Sequence, residues 1–146
     1  MSEHRTVVVT GVSTGIGYAI ARVLVEHGVR VFGSVRRFDD GQRVRDELGE
    51  RFVPLMFDVT DASAIHASVP AVAHAIGGAK LFGLVNNAGV AVGGPLIYQP
   101  LEEVRHHLEV NTLGALSVTQ AFSPLLGTDR TRIGKPGRIV NISSVA

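Results

Sequence analysis

The chain contains no cysteine and no tryptophan, and neither sign of charge dominates. Without cysteine it cannot form disulfides, zinc–thiolate sites or a thiol nucleophile. Lys and Arg number 14 against 13 Asp and Glu, a formal net charge of +1, so the basic field that favours nucleic acid or anionic membranes is absent. The start, Met1 to Thr6, is polar, and no apolar run has membrane-spanning length. These absences predict a cytoplasmic protein with no nucleic-acid partner and no membrane partner.

The residues present predict a packed core. The chain has 146 residues, of which 45% are hydrophobic, and 17 are glycine. A chain of this length buries roughly 70% of its unfolded surface. We therefore expect residues 1–146 to form a single domain.

Short β-branched apolar runs alternate with stretches of helical spacing. The predicted strands are Thr6–Thr10, Val29–Val35, Phe52–Phe57, Leu81–Val85 and Arg138–Ile142. The first run, TVVVT, is uniformly apolar, which is typical of a parallel strand covered on both faces. This alternation predicts an α/β fold, a doubly wound parallel sheet of Rossmann type with ligands beyond the carboxyl ends of its strands.

The helical stretches have recognisable ends. Gly28 is expected to stop the first helix, Asp61 to cap a later one, and Pro70 to kink it. A charged helix is predicted over Asp39–Arg51 and a long one over Leu101–Leu126. The fifth strand is then an uncovered edge with no helix after it, so we expect Ala146 to be a break within a longer polypeptide, leaving the sheet truncated after that strand.

The residues from Thr10 to Gly17, TGVSTGIG, lie between the first strand and its helix. Glycines permit a tight turn, and the free N–H groups of a helix start suit a pyrophosphate. The spacing G-x-x-x-G-x-G differs from the common G-x-G-x-x-G, and no Lys-Ser/Thr follows to make a triphosphate loop. Glycines also serve as ordinary turn residues, but the position after a buried strand favours a dinucleotide.

Further motifs follow later strands. Asn86-Asn87-Ala88-Gly89 comes after the fourth strand, Asn111 lies inside the long helix, and Asn141-Ile142-Ser143-Ser144 comes after the fifth strand. Together with the glycine turn, these residues resemble the short-chain dehydrogenase/reductase family, in family order from Thr10 to Ser144. The resemblance implies hydride transfer at a nicotinamide dinucleotide, between an alcohol and a ketone or aldehyde.

The resemblance also implies a cofactor site. Gly11, Gly15 and Gly17 are implied to hold its phosphates, with Ser13, Thr14 and Ile16 lining the turn. Asp58 is implied to accept from the adenine amino group, helped by the backbone of Val59; alternatively, it is a helix cap or turn residue. Asn86 is implied to sit against the ribose. Asn87, Ala88 and Gly89 are implied mainly to shape the turn.

The choice between cofactors depends on the end of the second strand, where an acidic side chain would repel a 2′-phosphate. Arg36 and Arg37 stand there, and a guanidinium is a bidentate partner for phosphate, so NADP is predicted over NAD. The alternatives are that both arginines are merely solvated, or that Asp39 or Asp40 reaches the ribose. Thr14 also departs from the basic residue that many NADP-using relatives carry.

For catalysis, the resemblance implies that Ser144 polarises the substrate, with Ser143 less favoured, and that Asn111 holds a water of the proton relay. Asn111 is alternatively a satisfied core group. The general acid/base tyrosine and its lysine, Y-x-x-x-K, belong beyond Ala146. Neither Tyr18 nor Tyr98 has a lysine four residues on, so the 146 residues alone are predicted to be inactive.

The sequence also bears on the substrate, the oligomeric state and metal binding. The mostly apolar segment Val90–Gln99 favours an apolar small-molecule substrate. The long helix is apolar on more than one side, which favours a homo-oligomer, a dimer or tetramer. The six histidines lack metal-ligand spacing, so no metal site is predicted. The alternative function is a non-catalytic dinucleotide-binding or redox-sensing module.

Overall fold

A computed structural model describes residues 5–144, which contain one five-stranded parallel sheet of strand order β3-β2-β1-β4-β5. The strands are β1 (Thr6–Val9), β2 (Arg30–Val35), β3 (Phe52–Met56), β4 (Gly83–Asn86) and β5 (Arg138–Asn141). The predicted doubly wound α/β sheet is confirmed, and each predicted strand is present with ends shifted by a residue or two. Ala146 lies outside the described residues.

Helices connect the strands. They are α1 (Gly15–Glu26), α2 (Phe38–Leu48), α3 (Ala62–Ile76), α4 (Leu101–Leu108) and α5 (Ala115–Ser123). A 3₁₀ turn covers Leu96–Tyr98, and π-helical turns cover Glu109–Gly114 and Pro124–Thr128. As predicted, Gly28 follows the end of α1 with φ +78°. Asp61 caps α3 by accepting the Ala64 N–H at 2.9 Å, and α3 continues through Pro70.

The predicted single helix over Leu101–Leu126 is interrupted. The π turn Glu109–Gly114 separates α4 from α5, and a π turn is typical of functional positions within helices. The chain packs tightly here, because a Cβ on Gly114 would overlap Val59 in the turn after β3. Asn111 lies in the same π turn and bonds to Val90.

The core lies on both faces of the sheet. In β1, Val8 belongs to one buried cluster and Val7 and Val9 belong to the other. This alternation across a strand buried on both sides explains why TVVVT carries no polar residue in its middle. Within residues 5–144, no helix is both long and apolar enough to span a membrane.

The outer strands differ from the central ones. Pro54 lies in β3 at one edge of the sheet, where a residue without an N–H is tolerated. β5 forms the other edge and all four of its residues are exposed, including Ile139 at 44% and Val140 at 48%. Between the edges, the strand order reverses at β1, whose neighbours are β2 and β4. Ligands bind at such a reversal in open α/β sheets.

Candidate functional site

A cavity of about 350 Å³ opens beyond the carboxyl ends of the first four strands. It brings together ten of the residues predicted for the cofactor: Gly11, Ser13, Thr14, Ile16, Gly17, Arg36, Asp58, Val59, Ala88 and Gly89. These residues are distant in sequence but share one edge of the sheet, because parallel strands all end there. The cavity coincides with the point where the strand order reverses.

The glycine turn has the compact geometry that its glycines permit. Gly11 and Gly15 have φ values of +69° and +62°, in the left-handed region that favours glycine. Gly17 has no such φ, but a Cβ there would overlap the Gly11 carbonyl oxygen and the Asn87 side chain. The first and last glycines of the turn therefore lie in direct contact.

Neighbouring strands hold the turn in place. On the β4 side, the Thr10 hydroxyl accepts the N–H groups of Asn87 at 3.0 Å and Ala88 at 2.9 Å. The Asn87 amide donates in return to the carbonyls of Thr10 and Gly11, at 3.0 and 3.1 Å. On the β2 side, the buried Ser34 hydroxyl accepts the Gly11 N–H at 2.9 Å. The turn is thus fixed to both neighbours of β1.

The start of α1 suits an anion. Thr14, the residue before its first turn, makes no side-chain capping bond, and no acidic residue stands in that turn. No carboxylate of the first turn therefore neutralises the positive end of the helix dipole, and phosphate groups bind favourably at such helix starts. The glycine turn and its cavity accordingly fit the diphosphate of a dinucleotide.

Asp58 and Arg36 bring opposite charges to the cavity. Asp58 Oδ1 accepts from the Thr60 N–H at 2.9 Å and its hydroxyl at 2.8 Å. Burial raises the pKa of Asp58, but the Thr60 hydrogen bonds and the positive charges of Arg36 and His106 outweigh it, so the pKa lies below its usual range. Asp58 is therefore an ionised acceptor at neutral pH. The carboxylate forms its own turn while it lines the cavity, and its contact with adenine stays a prediction.

Three predicted cofactor residues do not line the cavity: Gly15, Arg37 and Asn86. Asn86 is 5% exposed, and its Nδ2 donates to the Thr119 hydroxyl at 3.0 Å and to Asn141 Oδ1 at 2.9 Å. Its own Oδ1 is buried without a hydrogen-bond partner among residues 5–144. The side chain thus joins β4, α5 and β5, while the neighbouring Asn87 lines the cavity. The predicted contact of Asn86 with a ribose stays a prediction.

The predicted catalytic residues lie outside this cavity as well. Asn111 Oδ1 accepts the Val90 N–H, and its Nδ2 donates to the Val90 carbonyl, each at 2.8 Å. The side chain therefore holds the backbone of the loop after β4. Ser144 lies beyond the end of β5 and is exposed. The roles of Asn111 in a water relay and of Ser144 at the substrate stay predictions.

The sequence prediction missed two polar residues of the cavity wall, Ser34 and His106. Ser34 is a polar residue at the end of an otherwise apolar strand, a signal that could have drawn attention to it. His106 lines the cavity from α4, on the same helical face as Val110 four residues later. His107 instead accepts the Val92 N–H at 2.8 Å through Nε2. Within residues 5–144, no group of three or more His, Asp or Glu side chains is placed to hold a metal ion.

Comparisons with known proteins agree with this geometry. The chain is 40% identical over 142 residues to the NADPH-dependent 3-dehydrocapnine reductase of Ornithobacterium rhinotracheale, covering 97% of this chain and 50% of that protein. It is 33% identical to retinol dehydrogenase 16 of Mus musculus, covering 98% of this chain and 44% of that protein. The closed form of serine dehydrogenase complexed with NADP⁺ matches with a TM-score of 0.84 and 30% identity, over 96% of this chain and 54% of that one.

The chain spans about half the length of the curated relatives it matches. The family model described as short chain dehydrogenase matches residues 5–146. With the parallel sheet, the glycine turn and the cavity at the strand reversal, this match shows that the chain belongs to the short-chain dehydrogenase family.

Proposed function

We propose that residues 1–146 form one domain, the cofactor-binding part of an NADP(H)-dependent oxidoreductase that interconverts an alcohol and a ketone or aldehyde. The observation that carries this proposal is the start of α1, which has no side-chain cap and lies at a cavity that Asp58 and Arg36 also line. That arrangement offers N–H groups to a diphosphate, an acceptor to an adenine amino group and a guanidinium to a phosphate.

The nicotinamide, when bound, supplies or accepts the hydride. The residues of this chain bind and orient the dinucleotide. The glycine turn presents backbone N–H groups, Ser34 and Asn87 keep the turn in shape, and Asp58 and Arg36 act at the adenosine end. Asn111 fixes the loop that starts at Val90, and we propose that Ser144 approaches the reacting carbonyl or alcohol.

The preference for NADP(H) rests on Arg36, which lines the cavity. No acidic residue occupies the end of β2, where a carboxylate would repel a 2′-phosphate. Two relatives support the same cofactor, since one is named NADPH-dependent and the other is described in complex with NADP⁺.

The test measures dissociation constants for NADPH and NADH by fluorescence titration, in the wild type and in Arg36→Asp. We expect the wild type to favour NADPH, and the substitution to weaken NADPH at least about tenfold while leaving NADH unchanged or tighter, because a charge-assisted hydrogen bond is lost. Arg130→Asp changes the charge equally in the exposed segment before β5 and should leave the ratio unchanged. An unaltered ratio in Arg36→Asp removes the argument for NADP(H).

The substrate we propose is a small, largely apolar alcohol or carbonyl compound. Val90 lines the cavity, and the following segment exposes Leu96, Ile97 and Tyr98 at 80%, 82% and 78%. Apolar side chains exposed together are typical of ligand or partner contacts. The name of the retinol dehydrogenase relative is consistent with an apolar substrate.

Proton transfer needs a group that these 146 residues do not supply in the family pattern. Tyr98 is 78% exposed, while Tyr18 lies in α1, where a hydrogen bond with Glu47 raises its pKa. A raised pKa keeps the phenol protonated and does not favour proton exchange near neutrality. We therefore propose that the 146-residue chain binds dinucleotide without turnover, and that the tyrosine and lysine belong to residues beyond Ala146.

The alternative, a non-catalytic dinucleotide-binding or redox-sensing module, predicts the same binding. The two functions differ in turnover by the full-length protein. The absorbance of NADPH is followed for its loss with a panel of ketones, and for its formation from NADP⁺ with the matching alcohols. A change in NADPH with any of these compounds supports the oxidoreductase, whereas tight binding without a change across the panel supports the module.

A further inference from the structure

A side chain from α2 contacts the glycine turn directly. Arg43 Nη2 donates to the Ser13 carbonyl oxygen at 2.5 Å. Its Nη1 donates to Glu47 at 3.3 Å, and Asp40 lies 3.8 Å from Nη2. Glu47 in turn is hydrogen-bonded to Tyr18 in α1. Arg43 therefore joins α2 to the turn directly, and it is linked to α1 only through Glu47.

The charge of Arg43 is already matched. Two carboxylates, Asp40 and Glu47, are in ion-pair contact with the guanidinium, so the group carries no surplus positive charge. The side chain is also 42% exposed, where water and salt screen its field. A direct electrostatic role toward a phosphate is thus weaker than the structural role of its hydrogen bond to the turn.

That hydrogen bond fixes the orientation of one peptide group. Residues 5–144 contain no cis peptide bond, and in a trans peptide the C=O and N–H point in opposite directions. Holding the Ser13 carbonyl toward α2 therefore directs the Thr14 N–H away from α2. Thr14 lines the cavity, and no hydrogen bond from its N–H to an acceptor within residues 5–144 is found.

We propose that Arg43 is a positioning residue for the cofactor: by holding the Ser13 carbonyl, it presents the Thr14 N–H to a phosphate oxygen of the bound dinucleotide. This inference rests on the proposed function, because it concerns the same cavity. Since the diphosphate is common to NADPH and NADH, the contribution of Arg43 is the same for both nucleotides. In this respect Arg43 differs from Arg36, which selects between them.

The experiment measures dissociation constants for NADPH and NADH in the wild type, Arg43→Gln and Arg43→Lys. Arg43→Gln weakens both nucleotides about tenfold and leaves their ratio unchanged, because one hydrogen bond to a charged group is lost. Arg43→Lys restores most of the affinity, since an ammonium can still donate to the Ser13 carbonyl. Arg130→Gln is the matched control and leaves both constants unchanged.

A substitution of Glu47 distinguishes an effect of Arg43 on peptide orientation from an effect of its charge. Glu47→Gln removes one carboxylate from Arg43 and makes the local charge more positive. If Arg43 acted through its charge, this change would tighten NADPH more than NADH, and Arg43→Gln would weaken NADPH alone. Either result overturns the proposal. Thermal melting of the ligand-free variants checks folding, and exposed ion pairs of this kind contribute little to stability.

Failure of this inference is distinguishable from failure of the proposed function. A wild-type protein that binds neither nucleotide contradicts the proposed function itself. A wild-type protein that binds, together with an Arg43→Gln variant that binds equally well, overturns only the role of Arg43.

Discussion

The hydroxyl oxygen of Ser34 accepts the backbone N–H of Gly11 at 2.9 Å, across 23 residues of sequence. Ser34 is 2% exposed, and its carbonyl accepts the Val12 N–H at 3.1 Å. One residue of β2 therefore satisfies two N–H groups of the glycine turn. A buried polar side chain in this position is explained by the shape of the turn rather than by the needs of the sheet.

Replacing Ser34 by alanine is expected to destabilise the fold and weaken the nucleotide together. The Gly11 N–H loses its acceptor in a partly buried site, which costs about 1–3 kcal/mol. Urea unfolding gives the change in stability, and fluorescence titration gives the change in NADPH affinity. Ser68→Ala is the control, because the Ser68 hydroxyl donates to Ile65 three residues earlier in the same helix. Equal losses in both variants would contradict a special role for Ser34.

Gly17→Ala tests the close contact inside the turn. A Cβ at this position overlaps backbone of Gly11 and the amide of Asn87, so the turn must open. Overpacking of this kind costs about 1–3 kcal/mol, and NADPH affinity should fall with it. Gly78→Ala is the matched control, since Gly78 has no positive φ and nothing within 4 Å of an added Cβ. A Gly17→Ala protein with normal stability and affinity would refute the contact.

The fold could be predicted because its signals are local. The apolar run TVVVT identified β1, and the glycines after it identified the turn, since both depend on residues adjacent in sequence. The two π turns were not predicted, and the first contains a close contact between residues distant in sequence, Gly114 and Val59. The apolar spacing of Leu101–Leu126 continues across the first of them.

The residues of the candidate site also divide into those with a local sequence signal and those placed by contacts with distant residues. Arg36 was predicted from its place at the end of the second strand, and Asp58 from the family resemblance at the end of the third. The different placement of Asn86 and Asn87 could not be predicted, because successive side chains of a strand point to opposite faces and the motif alone does not fix which one meets the turn. His106 lines the cavity through the packing of α4, which no short sequence window indicates, whereas the polar Ser34 in β2 was a local signal that the prediction did not use.

Asn111→Ala is expected to release the loop after β4. Both hydrogen bonds from Asn111 to the Val90 backbone are lost, and hydrogen exchange of residues near Val90 should therefore increase. In a full-length protein with the proposed oxidoreductase activity, we expect kcat/KM to fall at least about tenfold, as for the loss of one or two positioning hydrogen bonds. Ser123→Ala, which removes a hydroxyl bonded within its own turn, is the control. Unchanged exchange near Val90 would contradict the positioning role.

The exposed leucines around the π turn predict self-association. Val118, Phe122 and Leu125 are buried in the core, whereas Leu113 and Leu116 are 47% and 50% exposed. We expect the protein to be a dimer or tetramer in sedimentation equilibrium, and Leu113→Gln combined with Leu116→Gln to shift it toward monomer, because buried apolar area drives such contacts. Substituting the exposed Ile133 by glutamine instead should leave the mass unchanged. A monomeric wild type would refute this prediction.

Asp58 is expected to select adenine through its ionised carboxylate. The Thr60 hydrogen bonds hold Oδ1, and a carboxylate can accept further hydrogen bonds. We expect the wild type to bind NADPH about tenfold more tightly than its hypoxanthine analogue, which lacks the amino donor. Asp58→Asn should reduce this preference, because its amide can also donate to a 6-oxo group. Asp61→Asn, which still caps α3, is the control.

The pH dependence of this preference follows from the lowered pKa of Asp58. A carboxyl group whose pKa is lower in the folded protein contributes stability above its unfolded pKa, and that contribution is lost as the pH falls through the folded value. Because the pKa lies below the usual aspartate range, Asp58 stays ionised between about pH 6 and 8. The discrimination between NADPH and its hypoxanthine analogue should therefore be constant across that interval. A preference that instead changed within it would show that a group other than Asp58 controls the adenine end.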